Sequence, residues 1–327
     1  MTFARMIGSQ LRARINARKL GEIAPVPKLL MLESSSLCNL DCAKCPRKSS
    51  TKSQGNMDVG LALDLIKQAN SMGIRTVSLS MLGEPLLNPE LERIVEGAGK
   101  ANMYVYMVSN GALLTPERSR SLIEAGVNNL CISIDGWDKR SYGQRHGNTN
   151  IELVLDNLSA FRRIRGRSAN RPFLVGVITF DTESLNHLSE IRVLLDSYVD
   201  MYTLNPLTDF GVPHHRPDPA LLPGVQSWKR MPCAYFWSSI SVKWNGRVTA
   251  CCNDYTSSLV YYNATEAPLE QIWQCATIKK FRRIHLSGKF HQMPLCGHCT
   301  RDWVNSLAFR RICHKFNSMP SSEKANG

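Results

Sequence analysis

Residues 29–46 read LLMLESSSLCNLDCAKCP: four apolar residues, a Ser-rich polar passage, then three cysteines within eight positions and a proline. The apolar run has the length and composition of a buried strand, which places the cysteines on the loop that follows it. Downstream the pattern repeats. Amphipathic stretches near Val59–Ala69, Glu90–Ala98, Pro116–Ala125, Ile151–Ile164 and Leu185–Leu195 alternate with β-rich runs at Thr76–Ser80, Met103–Val108, Leu130–Ile134, Leu174–Thr179 and Met201–Leu204. Six strand-helix units predict an α/β fold, a partial (β/α)6 TIM-like barrel of parallel strands over residues 28–210. In such barrels the functional groups sit on the loops after the carboxyl ends of the strands, where the polar motifs of this sequence fall.

Three thiols are an informative number. Four thiolates close a zinc site or saturate a cubane, whereas three leave one iron of a 4Fe-4S cluster open to an outside ligand. The residues alone also allow a zinc site or three unrelated buried thiols. The Cys38-x3-Cys42-x2-Cys45 spacing resembles the signature of the radical S-adenosylmethionine superfamily. That resemblance implies that Cys38, Cys42 and Cys45 hold the 4Fe-4S cluster and that its open iron chelates S-adenosyl-L-methionine. Lys44 stands where the family often has an aromatic residue. Leu82-Gly83-Glu84-Pro85 resembles the family's Gly-Gly-Glu motif, with Leu82 in place of the first glycine, and Glu84 then supplies a carboxylate for the methionine ammonium. Ser109-Asn110 and Ser133 with Asp135 resemble loops that contact the nucleoside or methionyl part of the cofactor; strand alternation puts Ser133 and Asp135 on one face. Arg145 is a candidate for the methionyl carboxylate, with a surface salt bridge as the equal alternative.

Beyond the barrel, residues 206–232 are rich in Pro, Gly, His and Asp and read as a linker or covering loop. Asn245-Gly246 between two β-rich runs, Ile240–Trp244 and Arg247–Ala250, predicts a hairpin whose two turn positions both take positive φ, followed by a helix near Leu269–His285. Cys233, Cys251, Cys296 and Cys299, with Gly246 five positions before Cys251, resemble a shortened SPASM or twitch domain of the kind found in deoxy-scyllo-inosamine dehydrogenase-type radical dehydrogenases. The resemblance implies a second, fully ligated auxiliary 4Fe-4S cluster on these four thiols; zinc is the alternative metal. The Gly-x4-Cys register favours Cys251 over Cys252. Cys131, Cys275 and Cys313 read as structural, and Asp254, Tyr255, His298 and Asp302 as candidate proton acceptors or supporting groups. The expected division is a basic extension over 1–27, the barrel over 28–210, a linker over 211–232, the auxiliary domain over 233–317 and a disordered tail over 318–327.

The chain has 327 residues, 43% of them hydrophobic, enough for a large core and a smaller appendage. Its 40 Lys and Arg against 27 Asp and Glu give a net charge of +13. Such a charge attracts an anionic substrate, nucleic acid or a membrane surface, or simply forms a solvated face. No apolar stretch is long enough to span a bilayer, and the Arg-rich start lacks an apolar export region, so the expectation is a cytoplasmic protein whose eleven cysteines serve metal rather than disulfides. The function expected from the resemblance is a radical dehydrogenase acting on a sugar, cyclitol or related polyol, an anionic one being what the positive charge would suit, supplied with electrons by a flavodoxin- or ferredoxin-type reductant. A ribosomal-peptide maturase is the second reading. A zinc-bearing RNA-binding module, suggested by Cys296-Gly297-His298-Cys299 in a basic region, is the third; no aromatic RNA-stacking signature accompanies it.

Overall fold

In the computed structural model the residues described are 21–50, 53–147, 149–207, 230–299 and Phe316. Six strands, β1 (Leu29–Leu32), β2 (Thr76–Ser78), β3 (Tyr104–Ser109), β4 (Asn129–Ser133), β5 (Phe173–Phe180) and β6 (Met201–Pro206), lie in sequence order, every neighbouring pair parallel. Between them run α1 (Val59–Ser71), α2 (Leu91–Lys100), α3 (Pro116–Ala125), α4 (Lys139–His146), α5 (Ile151–Arg165), the short α6 (Thr182–Leu185) and α7 (Leu188–Leu195). This is the expected partial (β/α)6 barrel.

The strands are nearly continuous apolar runs because both of their faces are covered. Alternate residues separate into distinct clusters. Leu30, Leu32, Val105, Met107, Leu130 and Ile132 join the helices in the main core. Leu29, Met31 and Tyr106 form a second cluster on the opposite, inner face, and Cys131, Val175 and Val177 a third. The helices start where their caps allow: Asp58 accepts from Leu61 N at 2.9 Å, and Thr115 precedes Pro116 and accepts from Arg118 N at 3.2 Å.

The C-terminal part contains α8 (Tyr235–Ser238), β7 (Ser239–Val242), β8 (Arg247–Thr249), β9 (Val260–Asn263), α9 (Leu269–Trp273), α10 (Ala276–Leu286) and α11 (Pro294–His298). It continues the barrel sheet: β7 pairs in parallel with β1, Leu29 against Ser239 through Leu32 against Val242, and β8 and β9 add antiparallel strands beyond it. The predicted hairpin is present, with a different turn. Its strands stop at Val242 and resume at Arg247, Lys243 N donates to Arg247 O at 2.9 Å, and only Gly246 takes positive φ, at 82°. One left-handed residue suffices for this longer loop, so Asn245 keeps an ordinary φ. The single helix expected over 269–285 is two, separated at Gln274 and Cys275, where Cys275 has extended backbone and caps α10. The strand β9 and the helix α4 had no sequence prediction.

Residues 21–25 of the expected N-terminal extension lie against the C-terminal part. Trp237 Nε1 donates to Gly21 O, Trp273 Nε1 to Pro25 O and Gln274 Nε2 to Ala24 O. Residues 1–20, most of the 211–232 linker, the 318–327 tail, Asp302 and Cys313 lie outside the described residues. Among the described residues no helix is long and apolar enough to cross a membrane.

Candidate functional site

The cysteine loop leaves β1 through Glu33–Ser36 and is fastened at several points. Ser34 Oγ donates to Leu79 O at 2.6 Å, and Glu84 N donates to Leu37 O at 2.7 Å. The second contact needs Gly83: a Cβ there would stand 2.1 Å from Ser35 O and 2.7 Å from Leu37 O. Gly83 therefore lets the β2 loop lie directly against the backbone leading into Cys38. After the cysteines, Cys45 precedes a 3-10 turn at Pro46–Ser49, and Arg47 donates back to Leu40 O at 2.8 Å.

Cys38, Cys42 and Cys45 are brought together. Burial raises the Cys38 thiol, and the charges of Glu84 and Cys45 add to it. Burial pushes Cys42 up to about 12, with Cys45, Cys38 and Asp135 adding to the shift. Thiols so placed become thiolates when a strongly positive centre sits among them, as a metal cluster does. Among the described residues no group of three or more His, Cys, Asp or Glu side chains could hold one metal ion. Three thiolates suit a cubane, in which each sulfur donor meets its own iron and one iron stays open. A buried polar atom also faces this region: Tyr142 Oη has no hydrogen-bond partner among the described residues, and its hydroxyl is raised by burial and then by the charges of Asp135 and Cys42.

Glu84 is 2% exposed and accepts from Ser109 Oγ (2.9 Å), Leu86 N (3.1 Å) and Asn110 N (2.8 Å). Burial raises its carboxyl and those bonds oppose the rise. Ser109 and Asn110, read from sequence as cofactor contacts, are thus turned toward Glu84, and Asn110 Nδ2 also donates to Asn39 Oδ1 at 2.9 Å in the cysteine loop. Pro85 opens a buried 3-10 turn just after Glu84. Ile132 and Ile134 belong to the helix-side core, so Ser133 and Asp135 project from the inner face as alternation predicts. Asp135 Oδ1 accepts from Thr179 N at 2.7 Å.

Arg145 takes the ion-pair alternative. Its guanidinium donates to Asp181 Oδ1 at 2.9 Å and Glu183 Oε2 at 3.1 Å and lies over the Trp137 ring. Lys44 reaches the other Asp181 oxygen at 2.5 Å. Burial alone would raise the Asp181 carboxyl; Arg145, Lys44 and the Ser184 N–H outweigh it and hold the group far below the usual range. Lys44, in the place of the family's aromatic residue, therefore ties the cysteine loop to the loop after β5.

Helix α4, between the β4 loop and α5, carries the groups that sequence reading missed. It lacks an apolar period, which hid it, yet two local signals bracket it. Asp138 and Ser141 form a capping box, and Gly147 ends it with φ 60°. A Cβ at Gly147 would lie 2.5 Å from Asp41 O, so the helix end packs on the cysteine loop, where Ala43 N donates to Arg145 O at 3.0 Å.

In the C-terminal part, Cys296 lies within electrostatic reach of Cys233 and Cys299, and Cys251 within reach of Cys233. Burial raises the Cys296 thiol, followed by the charges of Cys233 and Cys299. Cys251 is raised by its hydrogen bond to Cys252, then by burial and by Cys252 and Cys233. Cys252 packs with Leu29, Met31, Tyr106 and Tyr235 on the inner face of β1 and β3. Asp254, a candidate proton acceptor by sequence, has a structural task instead: it is fully buried and accepts from Thr249 Oγ1, Leu259 N and Ser258 N at 2.8–3.0 Å. Cys131, deep in the barrel, is pushed up to about 12 by burial and is an inert thiol.

A radical SAM superfamily model matches residues 32–194, and the SPASM model, an iron-sulfur cluster-binding domain, matches residues 233–300. The AdoMet-dependent heme synthase of Methanosarcina barkeri is 31% identical over 195 residues, 59% of this chain and 53% of that protein. The chain thus spans about half the length of that relative. The S-adenosyl-L-methionine-dependent 2-deoxy-scyllo-inosamine dehydrogenase of Niallia circulans is 24% identical over 277 residues, 83% of this chain and 92% of that protein. Among solved structures, Streptococcus suis SuiB bound to precursor peptide SuiA shares the fold, with a TM-score of 0.65 and 13% identity over 88% of this chain and 74% of that one.

Proposed function

Because this chain belongs to the radical SAM superfamily and carries a SPASM-type domain, with S-adenosylmethionine and 4Fe-4S clusters as its cofactors, we propose that it oxidises an alcohol carbon of a sugar or cyclitol to the ketone. In this reading Cys38, Cys42 and Cys45 hold the first cluster and Cys233, Cys251, Cys296 and Cys299 the auxiliary one. Glu84, with Gly83, Pro85, Ser109, Asn110, Ser133 and Asp135, borders the S-adenosylmethionine site. The chemistry supplied by the bound groups is one-electron cleavage of S-adenosylmethionine to a 5'-deoxyadenosyl radical, hydrogen abstraction from the carbinol carbon, and passage of the substrate's remaining electron to the auxiliary cluster as the hydroxyl proton leaves.

The chain's own residues prepare that chemistry. Gly83 and Glu84 fix the approach to Cys38, Lys44 and Arg145 hold the cysteine loop through Asp181, and Leu29, Met31 and Tyr106 give the inner face an apolar lining that excludes water. The barrel occupies 28–210 and the auxiliary domain 233–317. A flavodoxin- or ferredoxin-type protein in the cytoplasm supplies the first electron.

The observation that carries the reading is the span of the similarity to the inosamine dehydrogenase, 83% of this chain, together with four auxiliary cysteines, enough for one cluster. The test is anaerobic reconstitution followed by turnover with 2-deoxy-scyllo-inosamine and related cyclitols deuterated at the carbinol carbon. Deuterium in 5'-deoxyadenosine and a ketone product support it. A second reading, modification of a precursor peptide, draws on the fold shared with SuiB; deuterium arriving only from a labelled peptide would replace the alcohol reading with that one. The zinc-bearing RNA module gives way to the iron-sulfur assignment of residues 233–300.

A further inference from the structure

His146, the last residue of α4, is 3% exposed and stacks on Tyr142 at 4.3 Å between ring centroids. Its two nitrogens face different groups. Nε2 lies 3.2 Å from Asp135 N, and Nδ1 lies 3.7 Å from Cys42 Sγ. A backbone N–H can only donate, so Nε2 must carry the lone pair and the ring proton must sit on Nδ1. Asp135 Oδ2 at 3.5 Å would pair with Nε2 only if that nitrogen held a proton, and the Asp135 N–H occupies the direction such a proton would need. The remaining carboxylate oxygen is already engaged by Thr179 N. The tautomer is therefore set by the main chain of the β4 loop, and the Nδ1–H is presented to the sulfur. Cys42 Sγ also lies 3.9 Å from His146 O, a contact available to a thiol and lost to a thiolate, whereas the Nδ1–H contact strengthens as the sulfur gains charge.

We propose that His146 is a positioning residue that donates an Nδ1–H···S hydrogen bond to the Cys42 thiolate, holding that ligand in place and raising the reduction potential of the cluster it binds. The proposal rests on the assignment of Cys38, Cys42 and Cys45 as ligands. A donor at a ligating sulfur draws off electron density and stabilises the more negative, reduced cluster. The stacked Tyr142, the β4 backbone and the docking of Gly147 on Asp41 restrict the ring to this orientation.

The test compares wild type with His146→Phe, which keeps a ring on Tyr142 and removes the donor, and His146→Gln, which keeps a side-chain N–H. Each reconstituted holoenzyme is analysed for iron, and the cluster whose EPR signal responds to S-adenosylmethionine is titrated with reductant. Pulsed EPR of that reduced cluster reports nitrogen coupling before S-adenosylmethionine is added. Expected is a loss of about tenfold in the reduction equilibrium for His146→Phe, or about 59 mV for one electron. The histidine nitrogen coupling should vanish in that variant, and His146→Gln should recover part of the potential. An unchanged potential at full iron in His146→Phe would overturn the proposal. So would loss of the first cluster in both variants, which would mark a packing role alone. A wild type whose iron content does not fall in a Cys38/Cys42/Cys45 triple alanine variant would instead sink the ligand assignment beneath it.

Discussion

At Gly83 the backbone approaches so closely that a methyl group has nowhere to go. The atoms it would meet, Ser35 O, Leu37 O and Ser36 Cα, belong to main chain and cannot rotate away. Gly83→Ala should therefore cost about 2–3 kcal/mol, seen as a lower denaturant midpoint with an unchanged slope, and should reduce iron at the first cluster by shifting the segment before Cys38. The glycine is legible in the sequence as part of a Gly-Glu motif, and its neighbour Glu84 as a carboxylate for the methionine ammonium, without its partners inside the fold. The structure shows it accepting from Ser109, Leu86 and Asn110. At the cysteines the spacing itself is diagnostic: alanine at Cys38, Cys42 and Cys45 together should lower bound iron from about eight to about four per chain, as expected for one of two cubanes, measured by colorimetric iron assay after anaerobic reconstitution.

Among the elements, α5 and the strands beside it show how charge joins long-range pieces. Arg165 near the end of α5 pairs with Asp200, just before β6, and Asp200 Oδ2 accepts from Leu174 N in β5 at 2.8 Å. Burial would raise the Asp200 carboxyl, but Arg165 and the Leu174 N–H outweigh it and lower the group. A lowered folded-state value means that its stabilisation is present above the unfolded carboxylate range, near pH 4, and is lost as pH falls through the lower folded value. Asp200→Asn should thus be about 1 kcal/mol less stable than wild type at pH 7, after allowance for partial exposure. The gap should close in urea melts taken at progressively lower pH below 4. The strands and amphipathic helices were legible because an apolar period repeats within each. Helix α4 was not, because its polar sequence gains order from caps and from docking on the cysteine loop.

Across the whole molecule, Arg282 joins three distant pieces. It is fully buried without a carboxylate partner among the described residues, donates to Phe236 O, Glu22 O and Trp273 O, and lies over the Trp273 ring. Burial lowers its value to about 10, and the carbonyl dipoles keep the charge tolerable. Arg282→Met would leave three carbonyls without this donor and should cost about 3 kcal/mol or more, lowering the thermal midpoint and releasing residues 21–25 to proteolysis. The amino-acid sequence alone determined the parallel barrel and the grouping of Cys38, Cys42 and Cys45 on one loop, since strand periodicity and that close spacing are written within short windows of chain. Tertiary structure decided the rest: the pairing of β7 with β1, the turning of Ser109 and Asn110 onto Glu84, the ion pairs of Arg145 and Lys44, and the aim of His146 at Cys42. Each joins segments tens to hundreds of residues apart, and a polar side chain carries no local mark of which distant partner the folded chain will bring to it.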